Sequence, residues 1–271
     1  MNSNLIASGA SMKLIIVIPC LNEEKTIGDI ISQIPSKIPG ISKSLVYVID
    51  DGSTDNTAEI AMQHGARVIQ HRSTKGVGAA FHTGIDASIR SGAEIVVNLD
   101  GDGQFDPRDI PKLIRPILDR KADCVTASRF KSKDLIPVMP PIKKWGNIQM
   151  SRLISLLTRK KYYDVSCGFR AYSRDTILHM NLFGQFTYTR ETFLDLAFKN
   201  LTILEVPIKV RGEREHGKSR VANNLWRYAI GSSKIIFRTF RDYEPLVFFT
   251  TLSFILFIIS SGLGTFFILH Y

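Results

Sequence analysis

Hydrophobic residues along this chain form short, nearly continuous runs. Such runs are typical of parallel strands that are covered on both faces. They predict five buried strands, at 13–18, 45–49, 66–69, 95–99 and 124–127. Helical patterns lie between them at 23–34, 55–64 and 77–90, and glycine or proline follows each one. This alternation predicts an α/β fold with a doubly wound, mostly parallel sheet, whose ligands bind beyond the carboxyl ends of the strands.

The C-terminal part of the chain has a different pattern. No charged residue occurs at 245–269, and about 20 apolar residues are enough to cross a bilayer core. We therefore expect a transmembrane helix at 245–271; a buried core helix is the alternative, which the lack of a polar stripe disfavours. Basic and aromatic residues mixed over 223–244 indicate interfacial amphipathic helices.

These segments leave an N-terminal extension at 1–12 and a globular domain at 13–222. The positive-inside rule predicts that this domain is cytoplasmic, and no secretory signal precedes it. Because the chain stops directly after one apolar segment, we expect the membrane region of the intact protein to be longer.

Polar residues gather where the predicted strands end. PCLNEE (19–24) follows the first strand, DDGSTD (50–55) the second and DGDGQ (100–104) the fourth. Parallel strands end at the same sheet edge, so these three segments are expected to converge on one crevice. A solvated acidic rim is the alternative, but solubility alone has no reason to select the same strand end three times.

Asp100 and Asp102 are the candidate metal ligands. Gly101 and Gly103 permit a turn tight enough to direct both carboxylates at one point. Two hard oxygen donors on a turn suit Mg²⁺ or Mn²⁺ and leave coordination positions for substrate phosphates. An EF-hand is excluded, because Phe105 occupies the glycine position of that loop.

Two other segments have structural alternatives. The glycine-rich KGVG segment, which begins with Lys75 and Gly76, either approaches a nucleotide or lets a helix pack closely on the sheet. Phe81 stands at the third glycine position of a dinucleotide fingerprint and so excludes that motif. Asp55 is explained by a helix cap.

Charge distribution points to a second kind of ligand. The 271 residues carry a formal net charge of +10, yet residues 1–100 have 8 basic and 10 acidic side chains. Residues 129–161 have 9 basic side chains and one acid, Asp134. Such a block indicates nucleic acid, an anionic membrane or a phosphorylated ligand, with a solvated face as the alternative; the apolar C-terminal segment favours the membrane. Three separated cysteines without a CxxC pair argue against a disulfide framework or zinc site.

Six motifs occur in a fixed order. They are IPCLNEE (18–24), DDGSTD (50–55), DGDGQ (100–104), SRF (128–130), SCGFR (166–170) and REHGKSR (214–220). Together they resemble family 2 glycosyltransferases of the GT-A fold, and most closely the polyprenyl-phosphate sugar transferases typified by dolichyl-phosphate mannose synthase. The resemblance runs from about residue 13 to about residue 220 and continues into the membrane region.

The resemblance, together with the KGVG segment, implies a role for individual residues. Nucleotide-sugar binding is expected of Pro19, Leu21, Glu23, Asp51, Lys75, Gly76, Asp100, Gly101, Asp102, Arg214 and Arg220. Metal binding is expected of Asp100, Asp102 and Gln104. Acceptor-phosphate binding is expected of Ser128, Arg129, Lys143, Lys144, Ser166 and Arg170. The catalytic groups are expected to be Asp100, Asp102, Arg129 and Arg214. Lys143-Lys144-Trp145 stands where the family often has Arg and Ser, and Glu191 either orients a substrate or complements a helix dipole.

The implied reaction is inverting, metal-dependent transfer of a hexose from a nucleotide sugar, UDP-linked by resemblance, to a dolichyl or undecaprenyl phosphate at the cytoplasmic membrane face. A phosphomonoester is largely ionised near neutral pH and is already a nucleophile. One alternative is a family 2 transferase that extends a glycan or modifies a protein. Another is a non-catalytic, membrane-attached binder of anionic ligands. The acidic segments argue against nucleic acid as a partner, and both a monomer and a homo-oligomer stay open.

Overall fold

The computed structural model describes residues 12–181, 188–211 and 225–270. Within them, seven strands form one sheet in the order β3-β2-β1-β4-β6-β5-β7. The strands are β1 Lys13–Cys20, β2 Lys43–Asp50, β3 Arg67–Gln70, β4 Ile95–Asn98, β5 Cys124–Ser128, β6 Arg170–Ser173 and β7 Ile203–Pro207. All neighbouring strands pair in parallel except β6, which is antiparallel to both β4 and β5. The expected mostly parallel α/β sheet is therefore confirmed.

Helices cover both faces of this sheet. The helices of the described residues are α1 Ile27–Ser32, α2 Thr57–Gln63, α3 Val77–Arg90, α4 Ile110–Leu118, α5 Pro141–Thr158, α6 Arg174–His179, α7 Thr189–Phe198, α8 Leu225–Tyr243 and α9 Pro245–His270. Short 3₁₀ turns at Pro107–Asp109 and Lys133–Leu135 precede α4 and α5. One apolar cluster packs α1, α2 and α4 on one face, and a second packs α3, α6 and α7 on the other. Both contain side chains of β1 without exposed surface, which explains its unbroken apolar run.

The five predicted strands are present, and α3 has the predicted bounds. The prediction for the first helix was wrong at its start, because α1 begins at Ile27 and not at residue 23. Residues 21–26 bind the loop after β2 instead. Asn22 has a left-handed φ of 55°, and its N–H donates to Ser53 Oγ at 2.9 Å while its Oδ1 accepts from Thr54 N at 2.8 Å.

The chain ends in a long helix that differs from all the others. Helix α9 spans 26 residues with a mean hydropathy of 2.2 over its most apolar 18 residues, and none of that stretch is buried in the protein. It is therefore long and apolar enough to cross a membrane. Glu244 alone separates it from α8.

Candidate functional site

The strand order creates a crevice beside β1. Its neighbours β2 and β4 lie on opposite sides, and the chain leaves all three at the same sheet edge. In doubly wound sheets this reversal of strand order is where ligands bind. The three acidic segments of the sequence start at this edge, so their predicted convergence is found in the structure.

The aspartate turn after β4 packs tightly against the end of β1. Thr26 Oγ1 donates to Gly101 O at 2.7 Å, and a Cβ added to Gly101 would lie 2.7 Å from Cys20 Sγ. Burial raises the pKa of the Cys20 thiol well above its usual value, and the charges of Glu23, Asp50, Asp100 and Asp102 raise it further. The thiol is therefore a neutral packing group.

Asp100 and Asp102 adopt different environments on this turn. Asp102 is buried and its Oδ1 accepts the N–H of Gln104 at 3.1 Å. Asp100 is half-buried and lies against Gly168, where an added Cβ would be 2.5 Å from Asp100 Oδ2. Gln104 O accepts the N–H of Arg211 at 3.0 Å, which fixes the turn to the segment after β7.

The donor set of this turn suits a hard divalent cation. Within 12–181, 188–211 and 225–270, no group of three or more His, Cys, Asp or Glu side chains has the arrangement of a metal site. Mg²⁺ sites commonly use only one or two carboxylates and complete their coordination with water and substrate phosphates. Asp100 and Asp102, with the amide oxygen of Gln104, fit that pattern.

Asp51 organises the loop that precedes α3. Its carboxylate is 3% exposed and accepts the N–H groups of Lys75 at 2.9 Å and Gly76 at 2.8 Å. His71 Nδ1 lies 2.7 Å from Asp51 Oδ1, and His71 Nε2 lies 2.9 Å from Thr83 Oγ1 on α3. Asp51 and the KGVG segment thus form one unit, and sequence reasoning missed His71 because a single histidine after a strand carries no motif.

Three other residues that were predicted to bind the nucleotide lie at the end of β1 or just after it. Pro19 is buried, and Leu21 and Glu23 are half-buried. Glu23 N donates to Thr57 Oγ1 at 2.9 Å. Asp55 Oδ1 accepts the N–H of Thr57, the first residue of α2, at 3.1 Å. The N-cap residue is Asn56, which makes no side-chain capping bond, so the predicted cap was wrong by one position and Asp55 supports the helix start from the residue before the cap. The lysine side chain at position 75 is exposed.

Arg129 is held by a buried acid. Its Nε donates to Asp164 Oδ2 at 2.7 Å and its Nη2 to Oδ1 at 2.9 Å, a two-pronged pair. Burial opposes the positive charge, but Asp164 outweighs it and, with a smaller contribution from Asp100, raises the pKa of Arg129. Burial likewise opposes the charge of Asp164, but Arg129 and backbone hydrogen bonds hold the pKa of Asp164 below its usual value. Both groups are therefore charged at neutral pH.

A chain of polar contacts connects Arg129 to α5. Arg129 Nη2 also donates to Ser166 Oγ at 2.9 Å, and Ser166 Oγ donates to Asn147 Oδ1 at 3.1 Å. Asn147 is 8% exposed, and its Nδ2 makes no hydrogen bond to any described residue. Lys143 and Lys144 lie one helical turn earlier on α5. Sequence reasoning did not single out Asn147, which links Ser166 to α5 in this cluster.

Two predicted acceptor residues require correction. Ser128 and Arg170 have no exposed surface, so neither can touch a ligand in this structure. Arg170 instead donates from Nη1 to Thr189 O at 2.7 Å and from Nη2 to Val165 O at 2.9 Å. Arg170 therefore holds the start of α7 and the SCGFR segment in place.

The predictions for three further residues are neither confirmed nor corrected by the structure. Arg214 and Arg220 lie outside the described residues, so their predicted roles stay predictions. Glu191 is buried in the first turn of α7, a position that agrees with either of its two interpretations.

Residues 15–179 match the family described as glycosyl transferase family 2. The chain belongs to this family. Family membership makes the chain a glycosyltransferase.

Two relatives and one solved structure illustrate the similarity. UDP-N-acetylglucosamine--dolichyl-phosphate N-acetylglucosaminyltransferase of Methanococcus voltae is 33% identical over 74% of this chain and 86% of that protein. Polyprenol monophosphomannose synthase of Mycolicibacterium smegmatis is 27% identical over 81% and 85%. Glucosyl-3-phosphoglycerate synthase of Mycobacterium tuberculosis, solved with Mn²⁺, uridine diphosphate and glucosyl-3-phosphoglycerate, has a TM-score of 0.65 at 23% identity and covers 86% of this chain and 80% of that one. At this identity the last comparison shows the shared fold.

Proposed function

We propose that this glycosyltransferase moves a hexose from a nucleoside diphosphate sugar, UDP-linked, to a polyprenyl phosphate, with inversion at the anomeric carbon. The observation that carries the proposal is the course of the SCGFR segment. Ser166 contacts Arg129, and Gly168, two residues further on, contacts Asp100. Two residues span at most about 7 Å, so an acidic subsite and a basic subsite adjoin.

The acidic subsite is suited to the donor. Asp100, Asp102 and Gln104 would hold Mg²⁺ or Mn²⁺, which, when bound, stabilises the charge of a departing diphosphate. Asp51, with the loop that it fixes, and Glu23 would bind the nucleoside. The name of the Methanococcus voltae relative contains a UDP sugar, which supports the choice of nucleotide.

The basic subsite is suited to a phosphate that attacks. Of the Arg129 guanidinium, Nε and Nη2 are used by Asp164 and Ser166, whereas Nη1 makes no hydrogen bond to the described part of the chain. Arg129 Nη1 and the lysines at 143 and 144 would bind the acceptor phosphate and offset its repulsion from the donor diphosphate. No strong general base is needed, because the phosphate oxygen is already ionised.

The acceptor is proposed to be a membrane lipid. Both relatives described above are named for a dolichyl or polyprenol phosphate product or acceptor, and α9 is a candidate membrane span. The basic block at 129–161 would face anionic headgroups, which supports a catalytic domain on the cytoplasmic side.

The test is a panel of UDP and GDP sugars with a short polyprenyl phosphate, with products identified by mass spectrometry. We expect one UDP sugar to give a polyprenyl-phosphate sugar and EDTA to abolish the reaction. Transfer only to glycan or protein acceptors would contradict the proposed acceptor. Undiminished transfer in EDTA would contradict the proposed metal dependence.

A further inference from the structure

A buried acid joins the catalytic domain to the helix that precedes α9. Asp195 on α7 is 1% exposed. It accepts from the hydroxyl of Tyr243, the last residue of α8, from Lys199 Nζ at 2.8 Å and from Asn181 N at 3.1 Å. A buried carboxylate is costly unless it is paired and hydrogen-bonded. The position therefore depends on these donors, and one of them comes from α8.

Aromatic packing holds the same end of α8 against α7. Phe198 stacks on Tyr243 with ring centroids 5.2 Å apart and contacts Phe240 at 6.4 Å. Ile236 and Thr239 are also buried. Positions 236, 239, 240 and 243 share one helical face, so the last two turns of α8 are attached to α7.

The N-terminal end of α7 lies at the sheet edge that carries the aspartate turn after β4. Tyr188, which precedes its first residue, accepts from Asn98 Nδ2 at 2.7 Å and stacks on Phe81 with centroids 4.1 Å apart. Asn98 is the last residue of β4, two positions before Asp100, so Tyr188 lies near the aspartate turn. Helix α7 has 10 residues and thus spans about 15 Å between this turn and α8.

The α8 end is also next to the candidate membrane span. Tyr243 and Pro245, the first residue of α9, are separated by Glu244. Phe248 on α9 contacts Phe237 and Phe240 on α8, with centroids 6.0 and 6.1 Å apart. The corner between α8 and α9 is therefore packed, and a displacement of α9 would be passed to α8.

We propose that α7 acts as a strut, a rigid helix that sets the distance between the Asp100–Asp102 turn and the bilayer. Asp195 and Tyr243 are the positioning residues, and the hydrogen bond between them is the lock that fixes α7 to α8. This inference rests on the proposed function, because a fixed height matters when the attacking phosphate is anchored in a membrane. An acceptor that diffuses in water reaches the site from any direction and does not need the lock.

Tyr243→Phe tests the lock with little risk to the fold. The variant keeps the ring that stacks on Phe198, and Asp195 keeps Lys199. We expect kcat/KM for a polyprenyl phosphate in vesicles to fall about tenfold, the loss of one hydrogen bond to a charged group, while the donor KM and turnover of a short, water-soluble prenyl phosphate stay unchanged. Tyr47→Phe is the matched control, because it removes a buried hydroxyl on β2 that bonds to Ser91 at 2.6 Å and makes no contact with Asp195.

A second measurement does not require turnover. The cysteines at 20, 124 and 167 are all buried, so a cysteine introduced by Met62→Cys, at a position 56% exposed, can be labelled selectively. Energy transfer from this label to a dye in the bilayer should give one narrow distance for the wild type and a broad distribution for Tyr243→Phe. An unchanged distance distribution in Tyr243→Phe would overturn the inference. Equal losses of kcat/KM with the acceptor in vesicles and with the water-soluble acceptor would also overturn it. If no prenyl phosphate is used by any variant, the proposed function fails, and the distance measurement alone decides whether the strut exists.

Discussion

Replacing Gly168 by alanine should damage the aspartate turn without disturbing the sheet. The added methyl group would lie 2.5 Å from Asp100 Oδ2 and 2.8 Å from Oδ1, whereas ordinary contacts begin at 3.4 Å. The Asp100 carboxylate must therefore withdraw by roughly 0.9 Å, the difference between the first and last of these distances. Asp100 is half-buried, so it has space into which it can move.

This displacement sets the size of the expected effect. A misplacement of about 1 Å in a reacting group can cost roughly 100-fold in rate, or about 2.7 kcal/mol of transition-state stabilisation. We expect Gly168→Ala to lower kcat/KM for the nucleotide sugar by about that factor. It should also raise the Mn²⁺ concentration needed for half-maximal rate, because the displaced group is a proposed metal ligand.

The assay is steady-state transfer at a series of Mn²⁺ concentrations, with thermal unfolding measured in parallel. Gly146→Ala on α5 is the matched control, since a methyl group there meets no described atom within 4 Å and alanine favours a helix. If Gly168→Ala transferred sugar with the Mn²⁺ dependence and kcat/KM of the wild type, the placement of Asp100 in the metal site would be refuted.

Three further predictions address the groups that support the site. His71→Asn keeps an N–H group near the position of Nδ1, so it can still donate to Asp51 and should leave the donor KM unchanged. His71→Gln places its amide near the position of Nε2, where it reaches only toward Thr83, and should raise the donor KM several-fold. Equal donor KM values for the two variants in steady-state kinetics would contradict this prediction. Arg129→Ala would leave Asp164 buried and unpaired, at a cost of about 3–5 kcal/mol in stability, so Arg129→Lys is the better test and should raise the acceptor KM with the donor KM unchanged. Because the pKa of Asp164 is lowered in the folded protein, its stabilising contribution is complete above the ordinary aspartate pKa of about 3.9 and is lost as pH falls through the folded value; melting curves of Asp164→Asn should therefore lie below the wild type at pH 6 and approach it toward pH 3.

The parts of the fold that follow from the sequence are those with a strong local pattern. Strand β1 was predicted because its apolar run is unbroken. Helix α3 was predicted because its apolar residues recur with a helical period and a glycine follows its end. The start of α1 was not predictable, since the residues before it bond to a loop about 30 positions away. Strand β6 was missed because its four residues include the charged Arg170, whose burial depends on carbonyl groups from two other segments.

The candidate site likewise has some residues that the sequence predicts and others that only the structure shows. Asp100 and Asp102 were placed correctly at the sheet edge because strand-end motifs and the parallel topology determine where they lie. The pairing of Arg129 with Asp164 spans 35 positions, and no local pattern indicates it. Asn147 and His71 gain their importance only from neighbours supplied by other elements, so they are visible in the structure and not in the sequence.

The reversed direction of β6 has a consequence for how specificity in this enzyme can change. Because β6 enters the sheet from the edge at which β4 and β5 end, the residues before it touch both the Asp100 turn and the Arg129 cluster. A substitution or a one-residue insertion at 166–169 would alter the two subsites together. Redesign of the donor preference should therefore start from the Asp51 loop, and redesign of the acceptor preference from α5, where each can be varied without the other.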